Sequence, residues 1–222
     1  MPVPPRRPTA AHRATLGPAP LRPRTEATIS VSDTNYLQAF TDAGALLEGH
    51  FLLTSGLHSP RYLQCALVLQ DPALAERLCR DLAAKLKNLK AETVIGPALG
   101  GIVVAYELAR ALGVRGIFAE RKDGQMQLRR GFGVRPGERV LLAEDVVTTG
   151  GSLKEVIAAL AETGAEIVGV ASLVNRTAGK DPGFGVPFVS LITIDVPAYE
   201  AAACPLCKAG QPLVKPGSRG NA

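Results

Sequence analysis

Apolar and polar positions along this chain change period from block to block. Asp33 to Ala43 has helical spacing, with Asp33 as a candidate N-cap and Gly44 as a stop. His50 to Pro60 reads as an extended or hairpin segment around a Ser-Gly turn, and Tyr62 to Leu69 as a strand. Asp71-Pro72 opens a helix running to about Leu89, with Asp71 capping and Pro72 at its first position. Beyond it, strands and helices alternate. Thr93–Ile95 is a strand, Gly96–Gly101 a loop, Ile102–Leu112 a helix and Val114–Glu120 a strand. Arg121–Gly137 is a long polar segment, Arg139–Ala143 a strand and Gly151–Thr163 a helix. Ile167–Val174 and Phe188–Ile194 are the last strands. The alternation predicts an α/β fold: a doubly wound central parallel sheet with helices on both faces. Such sheets take ligands outside the C-terminal ends of their strands, where strand order reverses. The loops 96–101, 120–132, 144–152 and 175–180 would share that edge. No internal repeat is present.

Composition changes this picture only at the ends. The 222 residues and 46% hydrophobic content suit one globular body. No run of about 18 apolar residues occurs, so no membrane span is expected. The net charge of +5 is carried by the first 25 residues, which hold Arg6, Arg7, Arg13, Arg22 and Arg24 and no acid. The rest is neutral, which argues against a nucleic-acid partner. Seven of the 17 prolines fall in the same stretch, so residues 1–30 are expected to be a disordered extension. Nothing there has the apolar core of a secretory signal, and the expected location is the cytoplasm.

The chemistry concentrates in one run. Val140 to Ala143 is a buried-strand signature, followed by the adjacent carboxylates Glu144 and Asp145. After Val146 and Val147, Thr148-Thr149-Gly150-Gly151-Ser152 makes a small turn opening a helix. Free N–H groups and the helix dipole suit such a turn to a phosphate. Carboxylates beside a phosphate cradle do not bind more phosphate. They accept hydrogen bonds from sugar hydroxyls or stay near a metal ion, so the pair suggests a ribose 5-phosphate.

These residues resemble the phosphoribosyl-pyrophosphate (PRPP) motif of type I phosphoribosyltransferases, and the Thr-Thr-Gly-Gly-Ser ending is most similar to orotate phosphoribosyltransferases. A second stretch, Phe51-Leu52-Leu53-Thr54-Ser55-Gly56-Leu57-His58-Ser59-Pro60, also resembles that family. The resemblance covers about residues 33 to 195, and a tail with Cys204-Pro205-Leu206-Cys207 is similar to one bacterial branch. It implies a type I phosphoribosyltransferase fold over residues 31–222. Residues 31–70 would form a small N-terminal hood, 71–195 the core and 196–222 the tail. It also implies pentosyl transfer from PRPP to orotate, giving orotidine 5'-monophosphate and pyrophosphate in pyrimidine (UMP) synthesis. Mg²⁺ would be held through PRPP, with no metal ligand from protein side chains. A homodimer is implied, with the loop 121–132 acting across subunits.

Carried over residue by residue, the resemblance assigns catalysis to Lys122, Asp145, Glu144 and Arg121. PRPP would be bound by Glu144, Asp145, Val146, Val147, Thr148, Thr149, Gly150, Gly151, Ser152, Leu99, Gly100, Arg121, Lys122 and Arg129. Orotate would be bound by Thr148 and Arg176; a guanidinium fork is a natural partner for its carboxylate. Three departures matter. Leu99-Gly100 stands where orotate enzymes often carry a lysine, so pyrophosphate contacts from that loop must be main-chain. Gln125 and Gln127 replace the usual second lysine and histidine of the lid, which removes a general acid there and leaves Arg129 and Arg130 to supply charge. Thr54 stands where many relatives have lysine.

Other readings of the residues remain open. The same chemistry could serve a purine or another pyrimidine, and a PRPP-sensing regulator could use the same cradle. Segment 120–132 could be a plain charged hairpin, and Arg176 a surface partner of Asp181. Cys65 and Cys79 fall in apolar patterns and are expected to be reduced core residues. Cys204 and Cys207 supply two of the four ligands that zinc needs, and the two histidines of the body, His50 and His58, lie far away in sequence. The default for this pair is reduced thiols.

Overall fold

The computed structural model describes residues 31–53 and 56–216. The expected extension 1–30 and Thr54 lie outside the described residues. The chain begins with helix α1 (Val31–Asp42), then strands β1 (Leu46–Leu52) and β2 (His58–Leu63), which pair antiparallel as a separate two-stranded sheet. Helices α2 (Cys65–Leu69) and α3 (Pro72–Leu86) follow, with a 3₁₀ turn at Lys87–Leu89. Then come β3 (Thr93–Pro97), α4 (Gly100–Leu112), β4 (Arg115–Lys122), β5 (Gln125–Leu128), β6 (Arg139–Val147), α5 (Gly151–Leu160), β7 (Glu166–Asn175) and β8 (Phe188–Thr193). A 3₁₀ turn (Ala201–Ala203) and the short helix α6 (Pro205–Lys208) end the described chain.

The main sheet has the order β5-β4-β3-β6-β7-β8. Strands β4, β3, β6, β7 and β8 are parallel, and β5 joins the edge antiparallel to β4. The predicted doubly wound parallel sheet is present, and β5 adds one antiparallel strand at its edge. The order reverses between β3 and β6: β4 lies to one side of β3, and β6, β7 and β8 run away on the other. A crevice between the C-terminal ends of β3 and β6 follows from that reversal.

Side-chain alternation on β6 explains its apolar sequence. Leu141 and Ala143 enter the core beneath α3 and α4, whereas Val140 and Leu142 enter the core beneath α5. A strand covered on both faces reads as a continuous apolar run rather than an alternating one. Helix α3 buries Ala75, Leu78, Cys79, Leu82, Ala83 and Leu86, a single face at helical spacing, and Asp71 caps it by accepting from the N–H groups of Ala73 (3.0 Å) and Leu74 (3.3 Å).

Three local expectations change. Asp33 lies inside α1 rather than capping it. The apolar run expected to continue a strand to Leu69 instead turns into α2, which buries Cys65 and Val68, three residues apart. A short apolar run has no period that separates buried strand from buried helix. The polar segment after Arg121 is not one long loop. Asp123 (φ 54°) and Gly124 (φ 80°) form a tight turn, and Lys122 pairs with Gln125 across it. Asp-Gly with two positive φ angles is a strong two-residue hairpin signal.

Candidate active site

The strand register brings the predicted loops to one edge. Glu144 stands beside Ser172 and Val147 beside Asn175 in the β6–β7 pair, and the Arg176 N–H donates to the Val147 carbonyl at 2.8 Å. On the other side of the crevice, the Ala98 N–H donates to the Ala119 carbonyl at 2.7 Å, tying the loop after β3 to β4. The alternation that buries Val140 to Ala143 continues into the carboxylates. Asp145 falls on the α4 side of the sheet and Glu144 on the α5 side.

Gly100 begins α4 directly against Asp145. A Cβ on Gly100 would come within 2.7 Å of Asp145 Oδ2 and 2.8 Å of its Cγ. Glycine here lets the carboxylate and the helix start approach each other, which no larger residue permits. The neighbouring Leu99, which precedes α4, is 84% exposed.

The two carboxylates differ from ordinary surface acids. Burial, then the nearby Asp145 charge, pushes Glu144 up to about 8, while Arg121 pulls the other way. Burial also raises Asp145, opposed by the Val146 N–H, which donates to its Oδ1 at 2.9 Å. Both hold protons more tightly than usual, and a cation or hydroxyl donors would relieve them. Beyond them, Gly150 (φ 73°) turns the chain into α5 with no side-chain cap. The first-turn N–H groups of α5 have no intrahelical partners, so the turn presents donors at the positive end of the dipole. Gly150 is also sterically required, since a Cβ would come within 2.6 Å of the Phe184 ring.

The cations are arranged unevenly. Arg121 lies against α5, donating to Glu155 from Nη2 (2.7 Å) and Nε (3.1 Å), close enough to Glu144 to affect its charge. Lys122 is exposed and makes no ion pair among the described residues. Arg129 and Arg130 both pair with Glu120, at 3.3 and 3.0 Å, and Arg130 also lies 5.7 Å from the Phe118 ring centroid. Arg129 therefore points at Glu120 rather than at the carboxylate pair in this conformation.

Arg176 is not the surface partner of Asp181. It makes no ion pair among the described residues, and Asp181 instead accepts from the Gly183 N–H at 2.8 Å. The Arg176 Nε is buried with no hydrogen-bond partner. Burial lowers its affinity for its proton. A buried guanidinium donor without an acceptor is costly, and a ligand carboxylate would satisfy it.

Sequence reasoning missed the contact of Glu155 with Arg121. Glu155 is one polar residue on an exposed helix face, and nothing in its spacing marks it. It also treated His50 and His58 as remote from Cys204 and Cys207. The fold brings all four side chains together, with their ligand atoms within 4.8 Å of one another.

Comparison with known proteins agrees with this geometry. The family described as "Phosphoribosyl transferase domain" matches residues 68–197. An orotate phosphoribosyltransferase of Caldicellulosiruptor saccharolyticus is 58% identical over 184 residues, covering 83% of this chain and 96% of that protein. One from Thermotoga maritima is 55% identical over 177 residues, covering 80% and 94%. The crystal structure of orotate phosphoribosyltransferase from Aeropyrum pernix superposes with a TM-score of 0.57 at 29% identity, covering 71% of this chain and 93% of that one. With the PRPP-type motif at the crevice and these relatives matched almost end to end, the chain belongs to the orotate phosphoribosyltransferase family of phosphoribosyltransferases.

Proposed function

We propose that this protein transfers the 5-phosphoribosyl group from PRPP to orotate, releasing pyrophosphate and forming orotidine 5'-monophosphate for pyrimidine synthesis in the cytoplasm. The observation that carries the choice of base is Arg176, whose buried Nε lacks an acceptor at the same sheet edge as Glu144 and Asp145. A bicyclic base without a carboxylate would leave that donor unsatisfied.

Thr148 to Ser152 hold the 5'-phosphate through backbone N–H groups and hydroxyls. Glu144 and Asp145 accept from the ribose hydroxyls and lie near the positive charge that builds at the anomeric carbon. The Leu99-Gly100 backbone faces the pyrophosphate. Arg121, Lys122 and Arg129 supply cations to the leaving group, which for Arg121 and Arg129 requires release from Glu155 and Glu120. The hairpin β4–β5 is the element that would swing over the site and exclude water. Thr148 and Arg176 hold orotate. The reaction needs little covalent help, so positioning and electrostatics dominate.

The oxygen-only donor set of Glu144 and Asp145, with its unmet negative charge, suits a hard divalent cation. Mg²⁺ arriving on PRPP would neutralise charge on the pyrophosphate. A homodimer is supported by an apolar stripe on α4. Leu99, Val103 and Tyr106 are 84%, 39% and 63% exposed at helical spacing.

The test is loss of orotate absorbance with PRPP and Mg²⁺, reversed by pyrophosphate. Arg176→Ala should raise the KM for orotate by about 10- to 100-fold with PRPP affinity little changed. Equal losses toward both substrates would remove Arg176 from the orotate site. Turnover of a purine in place of orotate would overturn the assignment of the base.

A further inference from the structure

The C-terminal segment is held to the fold by very little apolar surface. Between Thr193 and Pro216, Cys204 is the one buried residue among those described. Backbone bonds attach the segment to the hood hairpin: His58 and Tyr199 exchange two at 2.8 Å, and Val214 bonds with Leu52 and His50 at 2.8 Å each. At the centre of this seam lie His50 on β1, His58 at the start of β2, and Cys204 and Cys207 flanking the start of α6.

We propose that His50, His58, Cys204 and Cys207 bind a structural zinc ion that fastens the C-terminal segment to the β1–β2 hairpin. The donor set is two imidazoles and two thiols, the combination that favours tetrahedral zinc. Zn–N bonds of about 2.0–2.1 Å and Zn–S bonds of about 2.3 Å place tetrahedral ligand atoms about 3.3 Å apart for N···N and about 3.6 Å for N···S. Here His50 Nε2 lies 2.9 Å from His58 Nδ1, 3.6 Å from Cys204 Sγ and 3.7 Å from Cys207 Sγ. Cys207 Sγ lies 3.2 Å from His58 Nδ1. These four pairs lie within about 0.5 Å of the tetrahedral spacing, and the other two lie within 4.8 Å.

The surroundings are those of a ligand set. His50 Nδ1 is 2.9 Å from the Gln211 carbonyl, which only accepts, so Nδ1 carries the proton and Nε2 turns its lone pair inward. His50, His58 and Cys204 are buried, and Cys207 is exposed at the rim, an entry path for the ion. The spacing Cys-x-x-Cys at a helix start gives both thiolates one centre. A segment without its own core gains its order from such a clamp, as small metal-bound modules do. Because His50 and His58 stand on the two legs of the hairpin, the same ion fixes the base of the hood turn.

The metal-free alternative is a hydrogen bond from His58 Nδ1 to His50 Nε2 beside two free thiols. Elemental analysis of the full chain, purified reduced, without chelator and with any affinity tag removed, separates the two. The expected content is about one zinc per chain, falling at least about tenfold in Cys204→Ser/Cys207→Ser. Cobalt substitution should give the intense visible absorption of a tetrahedral thiolate site. The proposal is overturned by wild-type protein that holds less than about a tenth of an equivalent and takes up none from added Zn²⁺ after reduction. It is equally overturned by unchanged zinc content in the double variant. Neither readout depends on the protein's activity, and the cobalt spectrum of the wild-type protein identifies thiolate ligands however the double variant folds.

Discussion

Glu138 and Glu144 stand at opposite ends of β6 and have opposite fates. Glu138 is almost fully buried, and burial would raise it, yet the Thr93 hydroxyl, the Arg135 N–H and the Arg115 guanidinium hold it down to about 2. Its Oε1 accepts from Thr93 at 2.6 Å and Arg115 at 2.7 Å, and its Oε2 from the Arg135 N–H at 2.8 Å. Glu144 has the same side chain near the other end of that strand, but burial and Asp145 push it up to about 8. One carboxylate is satisfied by the protein and the other is left for something to satisfy. Burial alone marks neither as functional; what distinguishes them is whether donors are already supplied.

The comparison is broken most directly by neutralising the end proposed to be catalytic. Asp145→Asn should lower kcat/KM by about 100- to 1000-fold while leaving Tm unchanged or raised, because a repelling charge is lost. Activity assays paired with thermal melts check it, and a lowered Tm with near-normal turnover would assign Asp145 to the structural class instead. Glu138→Gln should do the reverse. Removing the acceptor shared by buried Thr93 and half-exposed Arg115 should cost about 2–4 kcal/mol, or about 4–16 °C in Tm, with turnover nearly intact at low temperature. Because the Glu138 pKa is depressed, its contribution is present above about 4.5 and lost as pH falls through about 2. The gap between wild type and variant should therefore close in acid, which melts across that window would reveal.

Glu144 carries the opposite sign. Its folded pKa is raised, so the native state binds an extra proton between about 4.5 and about 8, and stability falls as pH rises through that window. Glu144→Gln should remove this slope and melt about 2–6 °C above wild type at pH 8, with a smaller difference at pH 5. A difference that stays constant with pH would mean that Glu144 titrates as an ordinary surface acid.

How much of this was legible in sequence follows from the range of each interaction. The strand from Val140 and the turn through Ser152 are contiguous, so period and turn chemistry announced the strand, the carboxylates on it and the turn into α5. The reversal of strand order followed from the alternation of helices and strands. The β4–β5 hairpin was announced as well, by Asp123-Gly124, but density of charge made it read as loop. Glu138 carried no local mark, because its partners Thr93 and Arg115 come from other strands. The meeting of His50 and His58 with Cys204 and Cys207 joins residues about 150 positions apart, a contact only the folded topology creates.

The seam between the hood hairpin and the tail also sets an order of events during synthesis. The hairpin leaves the ribosome well before its partners Tyr199 and Val214, which lie at least 141 positions further along the chain. At about 5–20 residues per second, the hairpin waits about 8–30 s for its second layer of bonds. The crevice at β3 and β6 can form before then, while the hairpin still lacks those bonds. A nascent chain would thus have its crevice before the hairpin is fastened to the segment that follows β8, and that later segment would be the latch.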